Sequence, residues 1–444
     1  MTVRTGQCVT VYAEVLSRHG DGVGWFDDGP VRYEVHAPDL VPGEVARIRV
    51  EHVARNRRRL FGEVVERLES APGRRIPPCP NHPTCTGCPL MGVDLPTQRE
   101  AKATTLRRIH GLEVTRIDGD DREWGYRRSS KRVVGGTPGA IVLGSFRRGS
   151  HQVADMTGCL VDHPDIARAA DEIAAVACDL GIEPYDEAEE RGDLRYVWLR
   201  TDGQGEVIVT LVTGTPHSKA AQMLPGRLTV PTGIAWALAL GPGNNMRGVG
   251  LRPLWGRQHL DIPETGQSVG AMGFLQPNPA VASMAQRAVT GMPSGGAVRG
   301  RLAFDLYAGS GATTRLLAKR FDRVEACEAD PEHAAVLGVA PRRAEDMLAE
   351  ALERGVRPQL VVANPPRAGL GPAVCDLLLA LGAPRVHLMS CDPRSLARDL
   401  ERLEDGYRCI AVRAFDTLPQ TPHVELVAWL VARRPEATGR VEAG

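Results

Sequence analysis

A cysteine and a glutamate near the end of the chain are candidates for a nucleophile and a base. Cys391 stands in the run Ser390-Cys-Asp-Pro393, and Glu425 ends the run Thr421-Pro-His-Val-Glu425. A thiolate attacks electron-poor carbon atoms readily, and a carboxylate can act as a general base. Taken alone, each residue also fits a structural role, the cysteine as a buried thiol and the glutamate as a surface residue.

A glycine-rich segment further upstream has the pattern of a nucleoside-binding site. In Asp305-Leu-Tyr-Ala-Gly-Ser-Gly311 a predicted buried strand ends in an acid, and glycines then let the backbone turn tightly beside a ligand. Glu328 stands at the end of the next predicted strand, where a carboxylate can accept both ribose hydroxyls. The pattern fits NAD and S-adenosylmethionine equally. Together with Cys391 and Glu425, it suggests covalent catalysis.

Four of the ten cysteines have the spacing of a metal or cluster site. Cys79, Cys85 and Cys88 lie close together in the sequence, and Cys159 follows far downstream. Four thiolates of this kind can bind an iron–sulfur cluster or a zinc ion. Because these cysteines are distant in sequence from Cys391, we expect their site to be structural.

The last third of the chain predicts the elements that position these residues. Helices and strands alternate from about residue 276, with strands predicted over 302–306, 323–327, 359–363 and 385–389. Such alternation predicts a parallel sheet that is covered on both faces. The loops with Asn364, Cys391 and Glu425 then lie at or near the carboxyl edge of the sheet, where such sheets bind their ligands.

The rest of the chain predicts two further domains. Residues 1–70 contain short alternating strands separated by turns such as Gly20-Asp-Gly-Val-Gly24, which predicts a five-stranded barrel of the oligonucleotide-binding kind. The basic run 55–59 precedes the last of these strands and fits either nucleic-acid binding or a solvated hairpin. Residues 71–273 contain the four cysteines and predict a mixed α+β domain, and residues 274–444 form the predicted α/β domain.

Composition excludes several classes of protein. Hydrophobic residues make up 43% of the chain and charged residues 24%, which is typical of a globular protein. No segment approaches the roughly 18 apolar residues of a membrane helix, and the start lacks a signal-peptide pattern, so we expect a cytoplasmic protein without membrane partners. Because 54 basic residues balance 54 acidic ones, nucleic-acid binding would require a local patch.

Taken together, these motifs resemble the S-adenosylmethionine-dependent RNA 5-methyluridine methyltransferase family. The resemblance covers nearly the whole chain and is nearest to the subgroup of 23S rRNA uracil-5-methyltransferases with a TRAM barrel and a 4Fe–4S cluster. The similar segments are Gly20-Asp-Gly-Val-Gly24, Val41-Pro-Gly-Glu44, the four spaced cysteines, Phe274-Leu-Gln-Pro-Asn278, Asp305–Gly311, Asn364-Pro-Pro-Arg367, Ser390–Asp399 and His423-Val-Glu425.

The resemblance implies a mechanism and a set of roles. The Cys391 thiolate would add to carbon 6 of uracil, carbon 5 would take the methyl group, and Glu425 would remove the carbon 5 proton. Arg367 would lie near the target base, which must be unstacked to enter such a pocket. The cofactor-binding positions implied are Gln276, Tyr307, Glu328 and Asn364, with Asp346 at the adenine.

The resemblance also implies the architecture and the partners. It predicts an N-terminal TRAM barrel, a central α+β domain with a 4Fe–4S cluster on Cys79, Cys85, Cys88 and Cys159, and a C-terminal Rossmann-like methyltransferase domain. The RNA partner it favours is ribosomal RNA over transfer RNA. We expect a monomer without an obligate protein partner.

Three departures from the family pattern define the main alternative. Asn364 stands where the family usually has aspartate, Ala312 replaces a position that is often polar, and the segment between Glu328 and Glu345 is short. A protein that binds RNA with a degenerate methyltransferase domain would carry such changes. The paired Cys391 and Glu425 favour retained catalysis, since a binding protein needs neither. An iron–sulfur redox protein would leave both motifs unexplained.

Overall fold

The computed structural model describes residues 3–114, 116–148, 150–243 and 246–433. The chain forms two compact units. Unit 1 contains Met1–Ile109, Arg116–Ser283 and Asp416–Val424, and unit 2 contains His110–Thr115, Met284–Phe415 and the chain from Glu425 onward. Residues 434–444, the end of the predicted 274–444 domain, lie outside the described residues. No helix in the described part of the chain is long and apolar enough to cross a membrane.

Unit 1 begins with a closed five-stranded barrel, as the sequence predicts. Alternating apolar residues fill its interior, among them Val11, Val35, Ile48 and Leu60. The strand order is β1-β2-β3-β5-β4, and a short turn of 3₁₀ helix at Arg55–Arg57 joins β4 to β5. The strands are β1 (Cys8–Leu16), β2 (Gly22–Asp28), β3 (Val31–Ala37), β4 (Val45–Ala54) and β5 (Arg59–Glu69).

The prediction of a turn over Gly20–Gly24 is wrong for its second half. Gly22 and Gly24 lie within β2, and Gly24 pairs with Ala13 of β1. A Cβ at Gly24 would lie 2.1 Å from the carbonyl oxygen of Tyr12. Glycine is required there because the backbones of two barrel strands approach closely, so the glycine-rich run is not simply a loop.

The remainder of unit 1 is a mixed α+β region. Helix α2 buries Ile166 and Ile173 against Val197 and Leu199 of a seven-stranded sheet with order β13-β12-β11-β10-β7-β8-β9. The elements are α1 (Leu95–His110), β6 (Ile117–Asp118), β7 (Ser129–Thr137), β8 (Ala140–Phe146), β9 (Val153–Asp155), α2 (Pro164–Asp179), β10 (Leu194–Thr201), β11 (Val207–Thr213), α3 (Lys219–Met223), β12 (Gly233–Leu238), β13 (Val249–Gly256), β14 (His259–Ile262) and β15 (Gln267–Gly270).

Unit 2 contains the predicted α/β sheet, in the order β17-β16-β18-β19-β21-β20. Strands β16 to β19 are parallel to one another, as predicted. The elements are α4 (Pro279–Val289), β16 (Gly300–Leu306), α5 (Ala312–Ala318), β17 (Phe321–Cys327), α6 (Pro331–Leu337), α7 (Ala344–Glu353), β18 (Leu360–Ala363), α8 (Gly371–Leu381), β19 (Arg385–Ser390), α9 (Pro393–Leu403), β20 (Tyr407–Phe415) and β21 (Glu425–Ala432).

The expectation of a purely parallel sheet is wrong at the last strand pair. β21 runs antiparallel to both β19 and β20. A strand that is buried on both faces is apolar whether it runs parallel or antiparallel to its neighbours. The sequence pattern therefore does not show in which direction β21 runs. The reversal brings the amino end of β21, where Glu425 lies, to the edge at which β19 ends.

Candidate active site and cysteine cavity

One edge of the unit 2 sheet collects five of the residues expected to be functional. The strand ends are in register, with Leu306 paired to both Cys327 and Ala363. Tyr307, Glu328, Asn364 and Cys391 follow directly after the parallel strands β16, β17, β18 and β19, and Glu425 begins β21. The strand order therefore places them along the edge in the succession Glu328, Tyr307, Asn364, Cys391 and Glu425.

Cys391 and Glu425 occupy facing positions. Ser390 of β19 pairs with Leu426 of β21, so the next positions along the two antiparallel strands are Cys391 and Glu425. Glu425 is 4% exposed, and this burial raises its pKa to about 8. Burial also raises the pKa of the Cys391 thiol, and the neighbouring Glu425 carboxylate raises it further. The pair is thus a thiol beside a carboxyl group that can hold or release a proton near neutral pH.

Two features of unit 2 favour the thiolate form of Cys391. The Arg367 guanidinium hydrogen-bonds the thiol and lowers its pKa, against the larger effect of burial. Cys391 also stands immediately before α9, whose N-cap residue Asp392 accepts the backbone N–H of Ser395 at 3.0 Å. The positive end of a helix dipole stabilises a nearby anion.

The loop that carries Arg367 is fastened to α9 by three contacts. Ser395 Oγ donates to the Arg367 carbonyl at 2.5 Å, and Arg398 donates to the Ala368 carbonyl at 2.5 Å. Buried Asp399 accepts the Leu370 backbone N–H at 2.7 Å. The sequence analysis assigned no role to these α9 residues. The signal that could have found them is the spacing of polar residues at 395, 398 and 399, which puts them on one face of the helix.

The glycine-rich turn lies against Glu328. The two carboxylate oxygens of Glu328 accept hydrogen bonds from the backbone N–H groups of Gly309 and Asp330, each at 2.8 Å. Tyr307 has a φ of 59°, and Gly309 and Gly311 also have left-handed conformations, so the chain reverses sharply between β16 and α5. Glu328 therefore both supports this turn and presents a carboxylate at the sheet edge.

Beneath the turn is a buried acid without a cationic partner among the described residues. Asp305 accepts hydrogen bonds from the hydroxyls of Thr313, at 3.0 and 2.8 Å, and of Thr314, at 2.6 Å. Burial raises the pKa of Asp305 to about 6, and the two hydroxyls oppose that rise. The roles of the threonines were missed from the sequence.

The remaining candidate residues have less defined surroundings. The backbone N–H of half-buried Asn364 donates to the Leu306 carbonyl at 3.3 Å, while Asp346 is exposed on α7. Gln276 belongs to unit 1, where it is half-buried, two residues before the fully buried Asn278. The departure Ala312 is the first residue of α5 and is buried.

The four predicted ligand cysteines line one cavity of unit 1. Its other lining groups include the thioethers of Met91 and Met156, the side chains of Leu160 and Val161, and Arg127. No group of three or more His, Cys, Asp or Glu side chains within the described ranges could hold a metal ion. The cysteines that converge are Cys79, Cys85, Cys88 and Cys159.

The segment Asp416–Val424, between β20 and β21, is held within unit 1. Lys102 of α1 is 1% exposed and donates to Asp416 at 2.6 Å, and Gln98 of the same helix donates to Gln420 at 2.8 Å. Tyr126 donates its hydroxyl hydrogen to the Pro419 carbonyl at 2.7 Å. None of these contacts was foreseen, because the partners are some three hundred residues apart in the sequence.

Known proteins resemble both the sequence and the structure. A family model described as tRNA (uracil-5-)-methyltransferase matches residues 351–433. An uncharacterized RNA methyltransferase of Geobacter sulfurreducens is 31% identical, over 97% of this chain and 91% of that protein. One from Halalkalibacterium halodurans is 28% identical, over 96% and 98% respectively.

A solved structure shares the fold. It is the tRNA (uracil-54, C5)-methyltransferase of Pyrococcus abyssi in complex with S-adenosyl-L-homocysteine, with a TM-score of 0.74 and 24% identity. The likeness covers 95% of this chain and 100% of that one. The family model matches the segment that includes Arg367, Cys391 and Glu425, and the Geobacter relative matches almost the full length. This chain belongs to the RNA (uracil-5-)-methyltransferase family.

Proposed function

We propose that this protein methylates carbon 5 of a uridine in RNA, with S-adenosylmethionine as methyl donor, through a covalent bond between Cys391 and the uracil. The observation that carries the proposal is the β19–β21 register, which sets Cys391 opposite Glu425 with Arg367 against the thiol. A nucleophile, a base and a cation at one sheet edge are the groups that this reaction needs.

The chain's residues divide the chemistry as follows. The Cys391 thiolate adds to carbon 6 of the uracil, and the electron pair displaced makes carbon 5 nucleophilic. S-adenosylmethionine, when bound, supplies the electrophilic methyl group. Glu425 in its ionised form then takes the proton from carbon 5, and the electron pair of that C–H bond expels the Cys391 thiolate. Arg367 favours the thiolate at the start and at the end of the cycle.

The turn after β16 fits a nucleoside cofactor. Glu328 lies with its carboxylate at the sheet edge, fixed by two backbone N–H groups, while each oxygen keeps a lone pair for a ribose hydroxyl. Tyr307 and Asn364 follow Glu328 along the sheet edge, at the ends of the next two strands, β16 and β18, and we assign them, with Gln276, to cofactor binding. Asn364 keeps an acceptor oxygen where the family usually has a carboxylate.

The proposal is tested by methyl transfer from labelled S-adenosylmethionine to unmodified total RNA, followed by digestion to nucleosides. We expect label in 5-methyluridine, and none with Cys391→Ala, which should still bind RNA. Label in another nucleoside, or full activity of Cys391→Ala, would overturn the mechanism. If RNA is bound but no label transfers, the RNA-binding alternative with a degenerate site is correct.

The substrate that we propose is ribosomal RNA. The family description and the Pyrococcus abyssi protein both name tRNA, so the same assay should be repeated on separated ribosomal and transfer RNA. Label confined to the transfer RNA fraction would refute the ribosomal assignment while leaving the reaction intact.

We further propose that Cys79, Cys85, Cys88 and Cys159 hold a 4Fe–4S cluster. Support comes from their convergence on one cavity, whose other lining residues are Asn81, His82, Gly87, Met91, Arg127, Met156, Leu160 and Val161. A single zinc ion needs its ligands around one point, whereas a four-iron cluster takes one thiolate per iron and so accepts cysteines that stand further apart. Within the described residues no group of three or more His, Cys, Asp or Glu side chains is placed to hold a metal ion, so the proposal rests on the spacing and convergence of the four cysteines, and metal analysis decides between cluster and zinc.

Metal analysis of anaerobically purified protein tests this assignment. We expect about four irons per chain and matching sulfide, with iron lost in Cys88→Ser. One zinc per chain without iron would refute it, and Cys409→Ser, at an exposed cysteine of unit 2, is the matched control.

A further inference from the structure

Three aromatic rings form a continuous strip on the outside of the barrel. Phe61 of β5 pairs in register with His36 of β3 on one side and with His52 of β4 on the other. The Phe61 and His36 rings are stacked with centroids 5.0 Å apart and an interplanar angle of 27°, and the His52 ring lies 6.1 Å from Phe61. We call these three residues the ring strip.

The ring strip faces away from the barrel core. Val35 and Leu60, the chain neighbours of His36 and Phe61, are buried in the core, and alternation along a strand sends their neighbours outward. Phe61 is 37% exposed and His52 is exposed. The His36 side chain is only 12% exposed and supports the Phe61 ring, so the rings of Phe61 and His52 are the ones that can stack on nucleobases.

Cations lie next to the ring strip. Arg57 and Arg58 are exposed at the turn between β4 and β5, and in the described part of the chain neither has an ion-pair partner. Ala54 of β4 pairs with Arg59 of β5 at the start of this turn. The His52–Phe61 pair lies two residues further along the strands, about 7 Å from the Ala54–Arg59 pair.

Other arginines on the same strands are already paired. Arg59 donates to Glu34 at 3.1 Å, and Arg49 and Arg47 form ion pairs with Glu63 and Glu66. Glu34 also holds His36, with His36 Nε2 2.6 Å from Oε1. The unpaired positive charge among these residues is therefore concentrated at the turn, beside the rings, and Glu34, which contacts both Arg59 and His36, holds one ring of the strip in place.

We propose that the ring strip stacks unpaired bases of the RNA substrate while Arg57 and Arg58 contact its phosphates. Rings with adjacent free cations match single-stranded RNA, because a base supplies the π face and the backbone supplies the charge. A duplex hides its bases and would meet only the arginines. That the ligand is RNA follows from the proposed function, on which this inference rests. The ring strip adds a second point of RNA recognition to the methylation site.

The test compares Phe61→Leu, which removes the ring but keeps an apolar side chain, with Val65→Ala, at another exposed apolar position of β5. The probe is a fluorescent single-stranded RNA of 12 nucleotides, alongside the duplex of the same sequence. We expect Phe61→Leu to weaken binding of the single strand about tenfold and that of the duplex hardly at all. Val65→Ala should change neither.

Two further variants separate stacking from charge and from misfolding. His52→Ala should weaken single-strand binding by a smaller factor, and Arg57→Ala should weaken both probes and reduce the salt slope by about 0.7 for the single strand. If Phe61→Leu weakens binding of the single strand and of the duplex equally, or weakens neither, the ring strip does not stack on bases and the proposal is wrong. The absence of any loss would leave a protein partner as the occupant of this face. Because the readout is binding, a failure of methyl transfer would not be confused with a failure of this site.

Discussion

Two buried carboxylates stand at the two ends of the segment between β20 and β21, and their surroundings differ. Asp416 is fully buried, accepts a hydrogen bond from Lys102 at 2.6 Å and has Arg99 at 3.5 Å. Glu425 is nearly as buried, yet among the described residues it has no ion-pair partner, and burial raises its pKa to about 8. Burial removes both carboxylates from water at a cost in free energy, but only Asp416 has a neighbouring opposite charge that offsets this cost.

We infer that this difference separates a structural acid, Asp416, from a catalytic one, Glu425. The Asp416 carboxylate is paired with Lys102 and lies near Arg99, and its removal would leave Lys102 buried without its partner. Glu425 keeps a proton that it can exchange near neutral pH, and it lies opposite Cys391, the nucleophile that we propose. We therefore expect substitutions at Asp416 to act on folding and those at Glu425 to act on turnover.

The largest effect is expected for Glu425→Gln. Loss of the base should lower methyl transfer by about 10³-fold, while RNA binding and the free energy of unfolding at neutral pH change little, since glutamine resembles the protonated acid. Single-turnover assays with labelled S-adenosylmethionine measure this. Turnover within a few-fold of wild type would show that another group removes the proton.

Asp416→Asn should show the opposite behaviour. Leaving Lys102 buried without its partner should lower the free energy of unfolding by about 3–5 kcal/mol. Denaturant unfolding checks this, and the double variant Lys102→Met with Asp416→Asn should recover much of the loss. If Asp416→Asn unfolds like wild type, the ion pair contributes nothing and the comparison with Glu425 fails.

These acids also show how far sequence reasoning reaches in this fold. The barrel strands, the turn after β16 and the positions of Cys391 and Glu425 at the sheet edge could be predicted because each depends on a local pattern, whereas the roles of the two residues stay a prediction. The Lys102–Asp416 pair could not, since 314 residues separate its members. The antiparallel direction of β21 was missed for a different reason, because an apolar strand has the same composition in either direction.

The pH dependence of Glu425 follows from its raised pKa. Between about pH 4.5 and 8 the folded state keeps a proton that the unfolded chain releases, so the free energy of unfolding should fall as the pH rises through this window. The kcat/KM should rise in the same window, by at least about tenfold per pH unit, as the base ionises, and more steeply where the Cys391 thiol must also lose its proton. Above about pH 6, where Asp305 no longer contributes, the stability of Glu425→Gln should lack this decline. A wild-type kcat/KM that is flat from pH 6 to 8 would contradict the assignment.

Asp305 provides the intermediate case and the smallest expected effect. It is fully buried like Asp416 but is stabilised by the hydroxyls of Thr313 and Thr314 instead of a cation, and its pKa of about 6 lies below that of Glu425. Thr314→Ala removes one hydroxyl and should cost about 1 kcal/mol of unfolding free energy at neutral pH. Because that hydroxyl lowers the pKa of Asp305, its loss should also move the pH-dependent decline in stability to higher pH. Thr314→Ser keeps the hydroxyl donor and is the control. If the free energy of unfolding depends on pH in the same way in both variants, the hydroxyl groups do not stabilise Asp305 in place of a cation.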